Sequence, residues 1–147
     1  MSFAISFKLE GDRELVELLR TRAPAIARDK MLIGIGKTVM AVHADALESI
    51  NTIKGNKEVT RYNPKREHIV SPPGEAPNAD LGGLAQSVFW DVDEVAMTAS
   101  VGSKLNYAFW LEYGTATMTE RPWLHPAIQR VLKRARSFFQ FRAGDFK

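Results

Sequence analysis

The chain has 147 residues, 45% of them apolar, and a formal charge of +3. That size and apolar share suit one core in one domain and argue against global disorder. It has no cysteine, which excludes a disulfide framework, a thiolate metal site and a cysteine nucleophile. Met1 is followed by neither a basic flank nor a long apolar run, which argues against an ordinary signal peptide. No window approaches the ~20 apolar residues of a membrane helix. A soluble, membrane-free protein assembled in a reducing cytoplasm is expected.

Phe3, Ile5, Phe7 and Leu9 alternate with Ala4, Ser6 and Lys8, the period of a half-buried strand, and Gly11 ends it. Asp12 is placed to cap a short helix striped by Leu15, Val16, Leu18 and Leu19. Pro24 suits the first turn of the next helix or a kink in a continuous one. Leu32, Ile35, Val39, Val42, Ala46 and Ile50 then recur at helical spacing, the strongest periodic signal in the chain. A single helix over 24–50 would be ~40 Å long. Gly34 and Gly36 weaken it by ~1 kcal/mol each relative to alanine, and they point to close approach of a neighbouring backbone.

Residues 51–80 carry no convincing period and are rich in Lys, Asn, Pro and Gly, so a long central loop is expected. Gln86–Trp90 and Val95–Val101 read as strands joined by the acidic turn Asp91–Glu94. Val88 and Trp90 point one way; Met97, Ala99 and Val101 point together, and Gly102 stops the second strand. Asn106 is placed to cap a helix over Tyr107–Tyr113, closed by Gly114 in a left-handed conformation. Pro122 or Pro126 starts a last helix, striped by Ile128, Val131, Leu132, Ala135 and Phe139. The pattern is α+β: an antiparallel sheet packed against a long helix from the N-terminal half and a C-terminal helix.

Few residues suggest chemistry. His43, His68 and His125 form no metal-binding pair, and His125 reads as a turn residue bonded to nearby backbone. Gly34-Ile35-Gly36-Lys37-Thr38 is not a phosphate loop, because Met31 stands where its first glycine belongs. Glu112 interrupts an apolar run; it is either a general base or, as we favour, paired with Arg121 or a base of the last helix. No catalytic residue and no cofactor or metal ligand is nominated.

Two basic groups stand out. Arg130, Lys133, Arg134, Arg136, Arg142 and Lys147 lie near the C-terminus, and Lys54, Lys57, Arg61, Lys65 and Arg66 lie in the central segment. Each is either a solvated face or a contact for an acidic partner or for DNA. A DNA-binding module built on these bases is the alternative function, although no helix-turn-helix, zinc or ribonucleoprotein motif accompanies them.

Residues 101–127 carry the most information. Tyr107, Phe109, Trp110, Leu111, Tyr113, Trp123 and Leu124 surround one glycine, Gly114, and two prolines, Pro122 and Pro126, with no nucleophile–base pair among them. Such a segment packs either into its own core or against another copy. Tyr107, Trp110, Leu111 and Gly114 at helical spacing are expected in the core, with Glu112 among them. Met118, Arg121, Pro122, Trp123 and Leu124 are expected to touch a neighbour, with Trp123 as the anchor.

The order Tyr107-Ala108, Leu111-Glu112-Tyr113-Gly114-Thr115, Met118, Arg121-Pro122-Trp123-Leu124 and Pro126-Ala127 resembles a tail-component family of long-tailed phages and prophages. Ser71-Pro72-Pro73-Gly74-Glu75-Ala76-Pro77, then Leu81-Gly82-Gly83-Leu84 and Ser87, is similar to that family's proline–glycine loop and the element after it. Leu81 departs from the pattern, which has a small hydroxyl residue before the glycine. The resemblance implies a non-enzymatic virion protein, assembled in the host cytoplasm into a homo-oligomeric ring at the head–tail joint (neck) or tail end, as a neck or tail terminator subunit. It implies sixfold symmetry, partners among the head connector or closure protein and the tail-tube or tail-terminator protein, and DNA passing through the lumen without specific binding. On this reading the 51–80 segment is an arm that lies on the adjacent subunit, with Tyr62, Pro72, Pro73 and Gly74 at the interface.

Overall fold

The computed structural model describes residues 24–140 and the backbone of residues 3–7. Strand β1 (Phe3–Phe7) falls where the alternation predicts. The short helix expected after Asp12 lies outside the described residues.

Helix α1 runs unbroken over Pro24–Asn51, 28 residues that begin on the expected proline. Its apolar stripe is the core face: Ile35, Val39, Val42, Ala46 and Ile50 are all buried. Thr38 shares that face because its hydroxyl donates to the Gly34 carbonyl at 2.8 Å, leaving no orphaned polar atom. The two glycines differ. A Cβ on Gly34 would lie 2.5 Å from the Phe139 ring, so the close neighbour is a side chain rather than a backbone, whereas nothing lies near Gly36.

The C-terminus of α1 is closed by its surroundings. Ala79 N–H donates to the Ile50 carbonyl at 3.0 Å, and Lys54 Nζ donates to the carbonyls of Ser49 and Thr52. A cation at this end also complements the helix dipole.

Residues 57–70 correct the expectation of a structureless loop. β2 (Lys57–Tyr62) and β3 (Lys65–Val70) form an antiparallel hairpin around Asn63-Pro64. Exposure on both faces over much of its length explains why no apolar alternation announces it. Short helix α2 (Gly83–Ser87) follows Gly82, whose φ of 78° favours glycine.

β4 (Val88–Asp93) and β5 (Thr98–Ser103) complete a second sheet, ordered β1-β5-β4 and antiparallel throughout. The turn is Glu94–Met97, later than expected, because Asp93 Oδ1 accepts the N–H groups of Val95 and Ala96, both at 2.9 Å. Gly102 does not stop β5; it pairs with Phe89 and Ala4 inside the sheet. Val88, Ala99 and Val101 are buried on the side packed against α1, whereas Trp90, grouped with Val88 by the alternation, is 43% exposed, and Met97 lies in the turn before β5.

Helix α3 (Asn106–Tyr113) leads through a loop to α4 (His125–Leu132) and a 3₁₀ turn (Ala135–Phe139). Pro126, not Pro122, stands in the first turn of α4. Ile128, Val131 and Ala135 are buried as expected, but Leu132 is exposed. Arg130 ties α4 to α1: Nε and Nη2 donate to Asp45 Oδ2 at 2.9 and 2.5 Å, and Nη2 to Ser49 Oγ at 2.7 Å.

Candidate interaction surface

The loop before α4 is organised by one buried carboxylate. Glu112, 3% exposed, accepts the backbone N–H of Trp123 at 2.9 Å and of Leu124 at 3.0 Å on Oε2, and of His125 at 2.7 Å on Oε1. These donors lead into α4, where a helix leaves N–H groups without internal partners and favours negative charge. Glu112 is therefore a cap supplied from another helix, which replaces the expected pairing with Arg121 or a base of the last helix. One turn earlier on the same face, the Ala108 carbonyl accepts the Trp123 indole N–H at 3.3 Å. His125 also departs from expectation: its ring Nε2 lies 2.8 Å from the Gln129 amide and, among the described residues, bonds no backbone group.

This arrangement inverts the expected division of the aromatic segment. Trp123 and Leu124 are 0% exposed and belong to the core, so neither is an interface anchor. Alanine and glutamate line the inward face of α3 because the Trp123 indole and the α4 N-terminus fill the space beneath it. Tyr107, Phe109, Trp110 and Tyr113 are turned outward instead, 41%, 45%, 52% and 55% exposed. The expectation of Tyr107 and Trp110 as core residues is thus overturned, while Leu111 is half-buried against the core. Phe109 and Tyr113 pack together with ring centroids 5.0 Å apart.

The ends of α3 also differ in detail. Asn106 does not cap it; Leu105 holds the cap position, and Ser103 Oγ accepts the Leu105 N–H at 3.1 Å. Gly114 closes the helix with φ 73° and ψ −175°, positive as expected but extended rather than left-handed helical. A Cβ there would meet the Met118 carbonyl at 2.8 Å and the Glu120 nitrogen at 2.9 Å.

The two sequence segments that carry the phage resemblance meet in space. Gly74 N–H donates to the Glu120 carbonyl at 2.9 Å, and Arg121 Nε donates to the Ser71 carbonyl at 3.3 Å. Pro72, Pro73 and Gly74 are exposed there, with Met118, Arg121 and Pro122 half-buried beside them. Tyr62 is separate, at the hairpin tip and 80% exposed.

Between the hairpin and α3 lies a cleft of about 560 Å³. Ile50, Val70, Leu84 and Leu111 give it apolar walls, and Arg61 and Arg121 stand among its lining residues. Ser71, 3% exposed, is also among them, and its buried hydroxyl has no hydrogen-bond partner among the described residues. Two contacts fix the hairpin over this cleft. Asn78 Oδ1 accepts Lys54 N–H while Nδ2 donates to the carbonyls of Lys54 and Ile69, all at 2.8 Å. Arg66 grips Asp80 through Nε at 2.6 Å and Nη2 at 2.5 Å, which holds the Asp80 carboxyl below the ordinary aspartate range. Burial pushes the Lys54 ammonium down and the Tyr107 phenol up from their ordinary values.

Asn78 and Asp80 had no sequence signal as site residues, because their side-chain partners come from distant segments. The Asn-Pro pair at 63–64, between Val59-Thr60 and Ile69-Val70, was the available hint of the hairpin. Among the described residues, no three of His, Asp or Glu gather to hold a metal ion, and no helix is long and apolar enough to cross a membrane. No family model matches the chain, and no curated protein or solved structure matches it either.

Proposed function

We propose that the protein is a non-enzymatic structural subunit that assembles into a homo-oligomeric ring at the head–tail joint or tail end of a long-tailed phage. The observation that carries this reading is the outward aromatic face of α3. Four large aromatic side chains on one short helix form an apolar surface of the kind that marks association sites, and tyrosine and tryptophan are enriched at such contacts. The sequence resemblance supplies the location, and the contact between the 71–74 and 118–121 segments brings its two motifs into one surface.

A DNA-binding module is the weaker reading. Arg130 and Arg66 are engaged by Asp45 and Asp80, which leaves Lys133, Arg134 and Arg136 as the exposed bases of the described C-terminal segment. Light scattering with negative-stain imaging tests the first reading, alone and with head connector and tail-tube proteins. Rings of one size are expected; a monomer that never assembles under any of these conditions overturns it. Tight, salt-resistant gel shift by the free monomer would favour the second.

A further inference from the structure

The β4–β5 turn and the cleft lie at opposite ends of the molecule. β4 leaves α2, which lines the cleft, and β5 returns to α3, which lines it too, so the turn is a full strand length away. α1 repeats this polarity. Arg28 in its first turns donates to the Glu94 carbonyl at 2.9 Å, whereas Ile50 in its last turn forms cleft wall.

The two ends carry exposed side chains of opposite charge. The turn projects Val95, 86% exposed, with Trp90 exposed on the strand behind it. Asp91, Asp93 and Glu94 are exposed around them. Asp93 already holds the N–H groups of Val95 and Ala96, so the turn docks with little conformational entropy left to lose. The cleft offers an apolar wall with Arg61 and Arg121, neither of which forms an ion pair among the described residues, beside the Asp80 carboxylate that Arg66 holds. The tip is apolar and flanked by carboxylates, whereas the apolar cleft carries two guanidinium groups without ion pairs among the described residues and one carboxylate, Asp80, already held by Arg66.

We infer that the cleft receives the β4–β5 turn of a second copy of this chain, with Val95 on the apolar wall and the acidic residues facing Arg61 and Arg121. This inference rests on the ring reading and sharpens it. Joining unlike surfaces makes the contact heterologous, the type that closes into a ring when the rotation between copies closes and otherwise grows a filament.

Because the chain has no cysteine, introduced thiols report the contact without background. Val95→Cys and Leu81→Cys, both at exposed positions and the second on the cleft, are made in separate copies, mixed and treated with a short bis-maleimide. A 95–81 link between copies is expected. Glu94→Arg should weaken self-association about tenfold, with recovery in Arg61→Glu/Glu94→Arg copies. Rings that form without any 95–81 link overturn the docking while leaving the ring reading intact. Links only of 81 to 81 show a two-fold contact and also overturn it. If a maleimide on Leu81→Cys leaves self-association unchanged, the cleft holds some other partner and the proposal fails. Absence of self-association at any concentration, with or without the phage partners, overturns both readings.

Discussion

Glu112 Oε2 accepts the backbone N–H of Leu124 at 3.0 Å, twelve residues along the chain. The same carboxylate holds Trp123 and His125, so one side chain fixes where α4 begins and drives the indole beneath α3. Glu112→Ala would leave three donors without it, two of them in buried residues, and an unsatisfied buried group costs about 1–3 kcal/mol. We expect a loss of about 3 kcal/mol in denaturant unfolding, and a smaller loss for Glu112→Gln, which keeps one acceptor. A Glu112→Ala protein as stable as the parent would refute the capping role.

Trp123 and Trp110 should behave as opposites. Trp123→Ala empties a fully buried site and should cost about 3–5 kcal/mol in the isolated protein. Trp110→Ala removes an exposed ring and should change stability by no more than about 0.5 kcal/mol, while reducing self-association measured by sedimentation. Equal stability losses in the two variants would contradict this division.

The glycines offer a graded test by thermal unfolding. Gly114→Ala forces a side chain into positive φ and against the Met118 carbonyl, and should cost about 2 kcal/mol or more. Gly36→Ala meets open space within α1 and should stabilise by up to about 1 kcal/mol. Gly34→Ala must displace the Phe139 ring, so its helix-propensity gain should be offset. A stabilised Gly114→Ala would be inconsistent with the described closure of α3.

The Arg66–Asp80 contact makes hairpin docking depend on pH. The Asp80 carboxyl is held below its ordinary value near 3.8, chiefly by the hydrogen bond from Arg66. A depressed native pKa means that the latch contributes fully above the ordinary value and is lost as pH falls through the lowered one. Amide exchange over 57–70 should therefore accelerate in acid beyond its intrinsic pH dependence. Asp80→Asn should show that fast exchange already at neutral pH. Identical protection in both proteins at neutral pH would remove the latch from the account.

The long helix and the α1-facing residues of β5 were legible in the sequence because one buried face imposes one period. Ile35 to Ile50 and Ala99 with Val101 are such cases. Residues 57–70 were not, since a two-stranded ribbon with solvent on much of both faces has no apolar alternation to display. The aromatic segment misled for a different reason. α3 is apolar nearly all round, so spacing alone does not decide which stripe turns inward. That choice is made by Trp123 and by the N–H groups ahead of α4, whose demand for an acceptor pulls Glu112 inside and swings Tyr107 and Trp110 out.

The unbroken run of α1 has one more consequence. Arg28, which reaches the Glu94 carbonyl, and Ile50, on the cleft wall, are held apart along it by ~33 Å of hydrogen-bonded backbone, at ~1.5 Å per residue. In any array that seats one end of this protein on the other, that helix is the ruler. It sets the repeat distance, so the circumference of a closed assembly becomes a matter of how many such lengths are laid end to end and of how sharply each junction bends.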